Sequence, residues 1–317
     1  MRGGQAPLRS VARVPFATEI TLTGPVRSPA QMLAEQTYGG HHSIHDGDTA
    51  ASLGLTGAPI EAPTHFSQFD PLAVALWGDS WFERGCISAH FHTMVVAGEE
   101  VQASLTTTAP NGATIEAHKV DGQPVLAGTA SIGPDHPESA LEARLGKQGA
   151  PGELYILDQL EVGARIAGVE PVAITHDDGN GPLYPFSLAD KVAQITEPHP
   201  WYTPDGGQTS PWGRAIVPFE MISVLTNKAG RSFPVRTPSL GLFLDLEVRL
   251  LDGPVLVGQP YLVDREVVGL GQSRRTESYW TRSTVTDAES GARVATVLLH
   301  SGVFKESYPG YPAGQQA

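Results

Sequence analysis

Apolar and polar positions alternate with a period of two along much of the chain, and two stretches break the alternation with helical spacing. In the first half, alternating runs span roughly 86–96, 99–108, 113–120 and 125–132, which predicts four strands. The turns between them carry Ala97-Gly98, Asn111-Gly112 and Asp121-Gly122. Asn-Gly and Asp-Gly between alternating runs predict tight hairpins with both turn residues at positive φ. In the second half the runs are 240–250, 255–263, a long and bent 266–287, and 292–304, with Asp252-Gly253 and Ser290-Gly291 as turns. Each set of strands follows a helical stretch, Thr64 to about Trp77 in one half and Phe219 to about Lys228 in the other. Gly57 and Gly213 lie 156 positions apart, as do Ile60 and Ile216. The order of signals repeats, so the chain reads as a tandem of two related α+β domains. An antiparallel meander with one apolar face needs a cover, and the helix of each half is the element available. The expected organisation is 15–135 as the first domain, 136–153 as a linker with a short helix near 138–145, 154–307 as the second domain and 308–317 as an irregular tail.

Composition narrows the classes. The 317 residues include 35 Gly and 26 Pro, which favours short elements joined by turns, and the single cysteine, Cys86, excludes an internal disulfide framework or a cysteine zinc cluster. That usage fits a cytoplasmic location. No run of about 18 apolar residues occurs, so no membrane span is expected, and the N-terminal segment lacks the apolar core of a secretory signal. A net charge of −13 argues against a nucleic-acid partner. The glycine pairs Gly39-Gly40 and Gly206-Gly207 form no dinucleotide or phosphate-loop fingerprint, so no cofactor is expected. A small-molecule substrate fits best, and self-association is left open.

In the first half, Ile44-His45, Gly57-Ala58-Pro59-Ile60 and the strand pair ISAHFHTMVVAGEEVQASL resemble the MaoC-like hotdog proteins, the group that contains (R)-specific enoyl-CoA hydratases. The second half is similar through Glu197-Pro198-His199-Pro200-Trp201-Tyr202 and Ser210-Pro211-Trp212-Gly213. The resemblance implies a double hotdog, each half a helix wrapped by an antiparallel sheet. It also implies a cofactor-independent hydro-lyase for an α,β-unsaturated or β-hydroxy carbonyl compound, such as an acyl-CoA thioester. In that family Asp-x-Asn-Pro-Ile-His supplies an aspartate and a histidine that hold a water, and a backbone N–H at the start of the helix polarises the thioester carbonyl. This chain departs from the motif in both halves. His45 takes the histidine position, but Gly40 stands where the aspartate belongs. In the second half Glu197 takes the aspartate position, His199 the asparagine and Tyr202 the histidine.

The residues themselves offer the same candidates with plainer alternatives beside them. His41, His42, His45, Asp46 and Asp48 form a polar cluster in HHSIHDGD. His45 suits acid–base work with Asp46 or Asp48 orienting it or touching substrate. The cluster also reads as a loop capping a short helix near 50–53, or as metal ligands without a recognised spacing. Glu197, His199 and Tyr202 could hold a water or protonate an enolate, with Glu197 as base, or could be a Pro-rich turn packed on its neighbour. Glu61 and His65, four apart at a helix start, share a face that could meet substrate, or could be cap and core. Arg275, in the predicted long strand with Arg274, could grip an anion or simply face solvent. The expectation is therefore one cleft shared by loops 39–48 and 196–205, with Glu197, His45, Tyr202 and His199 catalytic and Asp46, Asp48, Glu61, His65 and Arg275 binding substrate. The alternatives are an isomerase, cyclase or lyase acting on a non-CoA molecule in that cleft, or a ligand-binding protein without catalysis.

Overall fold

The computed structural model describes residues 18–228 and 230–312. The N-terminal segment read for a signal, the first residues of the expected first domain and the last five of the tail lie outside that range. In the first half, β1 (Thr21–Arg27), the small hairpin β2 (Thr37–Tyr38) and β3 (His41–His42), and α1 (Gly47–Ser52) come first. A 3-10 helix over Ala62–Phe69 then runs directly into α2 (Asp70–Trp77), followed by α3 (Trp81–Arg84) and strands β4 (Gly85–Phe91), β5 (Val101–Ala109), β6 (Gly112–Lys119) and β7 (Pro124–Ile132). The connection carries α4 (Ala140–Gly146). The second half holds β8 (Arg165–Ile166), α5 (Leu188–Gln194), α6 (Pro204–Gly207), α7 (Phe219–Asn227), β9 (Gly241–Leu250), β10 (Tyr261–Gln272), β11 (Thr276–Asp287) and β12 (Arg293–Phe304).

The strands form one ten-stranded sheet in the order β1-β5-β6-β7-β4-β9-β12-β11-β10-β8. Read outward from the centre, the two halves follow the same path, and they join where β4 pairs antiparallel with β9, Cys86 opposite Arg249 through His90 opposite Asp245. This is a double hotdog. The helical segment 62–77 fills one half and α7 the other, and the two segments pack on each other. Their sequences explain it. Phe66, Phe69 and residues 219–226 of α7 are buried, and each large apolar side chain so buried contributes about 1.5–3 kcal/mol.

Backbone contacts at the entry to each central helix define the repeat. Ile60 N–H donates to Val95 O at 2.8 Å and Val217 N–H donates to Val255 O at 2.8 Å, while Pro59 bridges Val96 and Ile216 bridges Leu256. Structural equivalence here runs from Ile60 to Val217, one position more than the Gly57–Gly213 match, because the second copy has an extra residue between its glycine and its bridge.

Two local expectations are corrected. Neither the Asn111-Gly112 nor the Asp121-Gly122 hairpin places both turn residues at positive φ: in the first neither residue is there, and in the second only Gly122 is, at 89°. There Gly122 N–H donates to Lys119 O at 2.8 Å and Lys119 N–H to Gln123 O at 2.9 Å, a type I turn closed by a glycine bulge. The runs 255–263 and 266–287 resolve into β10 and β11, with a turn at 273–275. Ser273 makes that turn: its backbone N–H donates to Thr276 O at 2.8 Å, and its Oγ accepts from the N–H groups of Arg275 and Thr276 at 3.2 and 3.1 Å. Arg274 and Arg275 therefore sit in a turn and not on a strand. No described helix is long and apolar enough to cross a membrane.

Candidate functional site

A cavity of about 920 Å3 opens between the halves. Its floor in the first half is the start of the central helix, Glu61 to His65, with the loop that carries His45. Its second-half wall is the inner face of β9, β11 and β12 beyond the C-terminal end of α7, closed by Tyr184, Phe233 and Arg265.

His45 is held by its neighbours in a defined tautomer. Asp46 caps α1 through its carboxylate, which accepts from Thr49 N–H at 2.9 Å and Thr49 Oγ1 at 2.7 Å. The residue before it is thereby fixed, and His45 Nδ1 lies 2.6 Å from Pro59 O. A carbonyl only accepts, so Nδ1 carries the proton and Nε2 keeps a lone pair. Burial lowers the His45 pKa below the usual histidine value, against the raising effects of the Pro59 carbonyl and the Glu61 charge, so the ring is neutral at pH 7.

Glu61 comes from the residue capping the central helix. Its Oε2 takes Lys191 Nζ at 3.0 Å, and Lys191 also reaches Glu220 Oε1 at 3.0 Å and Thr64 Oγ1 at 2.8 Å. All of these groups are buried. The surrounding carboxylates push the Lys191 pKa up to about 12 against its burial, and burial raises that of Glu220. The other oxygen of Glu61, Oε1, is buried with no hydrogen-bond partner. Beside it, Ala62 is the first residue of the helix, so its N–H has no acceptor within the helix. Tyr184 accepts from Asn227 Nδ2 at 3.1 Å, and burial with the Glu61 charge raises its pKa, so its hydroxyl keeps its proton. His65 also lines the cavity. Gln68 Nε2 lies 3.3 Å from its Nδ1, and burial with the Lys191 charge takes its pKa down to about 4.

The expected shared cleft is not what the chain assembles. No residue of loop 196–205 lines the cavity that holds His45. Glu197 is occupied by Arg27 of β1 in a two-point pair, Nε to Oε1 at 2.5 Å and Nη2 to Oε2 at 3.1 Å. Tyr202 donates its hydroxyl to Asp70 Oδ2 at 2.8 Å, and Trp81 Nε1 donates to Asp70 Oδ1 at 2.8 Å. His199 Nδ1 accepts from Trp201 N–H at 3.3 Å, and its ring packs among Phe82, Trp201 and Tyr202. These three residues build the packing between the halves. Asp48 is an exposed first-turn residue of α1. Arg275 pairs with Glu306 away from the cavity. The sequence did not single out Lys191, Tyr184, Asp70 or Arg265. Lys191 carried one signal: Leu188, Val192 and Ile195 mark an apolar helix face, and a lysine beside Leu188 on a buried helix needs a buried partner.

No family model and no curated protein matches the sequence. Solved structures do share the fold. One is a putative MaoC domain protein dehydratase from Chloroflexus aurantiacus, with a TM-score of 0.55 and 14% identity, aligned over 91% of this chain and 95% of that one. Another is a conserved hypothetical protein of Mycobacterium tuberculosis described as a double hotdog, with a TM-score of 0.55 and 15% identity over 91% and 97% of the two chains. At such identities the likeness establishes the architecture.

Proposed function

We propose that this protein is a hydro-lyase that adds water to, or removes it from, an α,β-unsaturated carbonyl compound, with an acyl thioester as the leading substrate. The observation that carries this reading is His45: its Nδ1 proton is tied to Pro59 O, and its Nε2 lone pair is left without a protein partner in a cavity that also holds a carboxylate. The aspartate missing at Gly40 is replaced, on this reading, by Glu61 from the helix start.

In the hydration direction, His45 Nε2 takes a proton from water as the water oxygen bonds the β-carbon. The double-bond electrons move onto the carbonyl as an enolate, which Ala62 N–H stabilises. The imidazolium, favoured by the Glu61 charge, returns the proton to the α-carbon, so one water is consumed and the protein is unchanged. Dehydration is the reverse. The His45→Ala and Glu61→Gln proteins test the assignment with crotonyl- and longer enoyl-CoA. Each is expected to lose about 100- to 10,000-fold in kcat, the usual weight of a positioned acid–base group. Full hydration by both variants would remove the assignment.

Arg265 favours a second reading. It lines the cavity, its Nη2 donates to Arg231 O, and its Nε is buried without a partner. Its guanidinium suits an anionic group on the substrate, either the phosphates of a CoA carrier or a carboxylate of a smaller acid used without CoA. Thermal-shift titration with CoA against short unsaturated acids separates the two.

A further inference from the structure

The opposite face of the sheet carries a second cavity, of about 680 Å3. Residues 279, 281 and 301 face the large cavity, whereas 276, 278 and 300 face this one, so the two lie on opposite sides of β11 and β12. Strand register builds its centre. β4 places His90 opposite Asp245 of β9, and β9 places Asp245 opposite His300 of β12. The Asp245 carboxylate is fully buried. It accepts from Nδ1 of His90 at 2.6 Å and from Nδ1 of His300 at 2.5 Å, and burial notwithstanding, these bonds hold its pKa down at about 2. Both rings are thus locked by the same carboxylate, with Nε2 turned away from it.

His300 is the informative residue. It is 6% exposed, its ring stacks on Trp280 at 4.0 Å and 8°, and its Nε2 is buried without any partner. A buried, oriented ring nitrogen with nothing to bond is costly, and this residue lines the cavity. Arg144 and Lys147 stand at the same cavity from the end of α4. Arg144 Nε approaches Asp245 Oδ1 at 3.4 Å, and its side chain is half exposed. Lys147 forms no salt bridge among the described residues. Gln272 and Ser278 add polar side chains, and no Asp or Glu lines the cavity. In a chain of net charge −13, a cavity lined by two cations, two histidines and no carboxylate is a local reversal of sign. A metal ion fits poorly, because Arg144 and Lys147 would repel it and no three His, Cys, Asp or Glu side chains among the described residues are placed to hold one.

We propose that this outer cavity is a binding site for a phosphate-type oxyanion. The Arg144 guanidinium and Lys147 ammonium supply charge-assisted hydrogen bonds. Burial keeps the His300 pKa below the usual histidine value in the free protein, so its Nε2 donates once the bound anion draws a proton onto the ring, with the Asp245 carboxylate behind it to balance the imidazolium. The ligand is either free phosphate or the phosphoryl end of a larger molecule.

Calorimetric titration of the full chain with inorganic phosphate and with glycerol phosphate, at constant ionic strength, tests this. Saturable binding of one equivalent is expected. Arg144→Gln/Lys147→Gln, both changes at accessible side chains, should weaken it by about tenfold or more. His300→Asn should weaken it too, while His45→Ala in the other cavity should leave it unchanged. Glycerol phosphate bound about tenfold tighter than phosphate would identify the phosphoryl end of a larger molecule, and equal or weaker binding the free ion. No saturable binding of either probe would overturn the proposal. So would binding that survives Arg144→Gln/Lys147→Gln, or binding lost in His45→Ala.

Discussion

Asp70 and His65 carry opposite protonation strains in one buried region. Burial pushes the Asp70 carboxyl up to about 7 despite the bonds from Trp81 and Tyr202, and His65 is pushed down to about 4. A raised acid contributes stability that is complete below its unfolded value near pH 4 and is lost as pH rises towards 7. A lowered histidine contributes stability that is complete above its unfolded value near 6.5 and is lost as pH falls towards 4. Between about pH 4.5 and 6.5 the two slopes oppose each other, each near 1 kcal/mol per pH unit. Urea unfolding across that window should show stability rising more steeply with pH in Asp70→Asn than in the parent, and less steeply in His65→Gln. Parallel curves for all three proteins would contradict the assignment. At this scale the sequence was legible where the candidate site draws on near neighbours. His45, fourteen positions before its Pro59 partner, and Glu61 and His65 at one helix start were all visible as candidates. Glu197 and Tyr202 were read as catalytic because their partners, Arg27 and Asp70, lie far off in sequence. A free carboxylate and a paired one look the same in a string of letters.

Elements were legible where a turn announces itself. Glycine at positive φ closes the β6–β7 hairpin at Gly122 and turns the chain at Gly98 between β4 and β5, which do not pair with each other, and β5, β6 and β7 fall close to their predicted limits. The β10–β11 turn was missed because Ser273 closes it through its hydroxyl, and no glycine, proline, Asn or Asp stands within the turn at 273–275 itself. β1 and β8, the sheet's outer strands, carried little alternation to read. Close strand packing also has a sequence mark in Gly128. It pairs with Ala89 across β7 and β4, and a Cβ added there would lie 1.9 Å from Ser88 O. That contact is with backbone, so no side chain can move aside. Gly128→Ala must displace β4, the strand that joins the halves, and is expected to cost about 2 kcal/mol or more, read as a lowered urea midpoint. An unchanged midpoint would mean that the strands separate here without penalty.

Across its pseudo-symmetric junction the molecule is held by β4–β9 pairing, by packing of the two central helical segments and of loop 196–205, and by the buried Glu61–Lys191–Glu220 cluster. The cluster draws its members from the first helix start, from α5 and from α7, so it exists only when both halves are in register. A single cation between two buried carboxylates is a poor source of net stability but a strong constraint once formed, because removing it leaves two desolvated charges facing each other. Lys191→Met is therefore expected to cost about 3–5 kcal/mol, whereas Glu61→Gln/Lys191→Met/Glu220→Gln, which removes the charges together, should recover much of that loss. Equilibrium unfolding of the two variants beside the parent measures both. The comparison separates two accounts of the junction. If Lys191→Met falls and the triple variant recovers, the cluster fixes the alignment of the halves and holds Glu61 with its second oxygen free. If Lys191→Met unfolds within about 1 kcal/mol of the parent, the carboxylates have taken up protons at little cost, and the alignment of the halves rests on the strand pairing and the apolar packing between the helices.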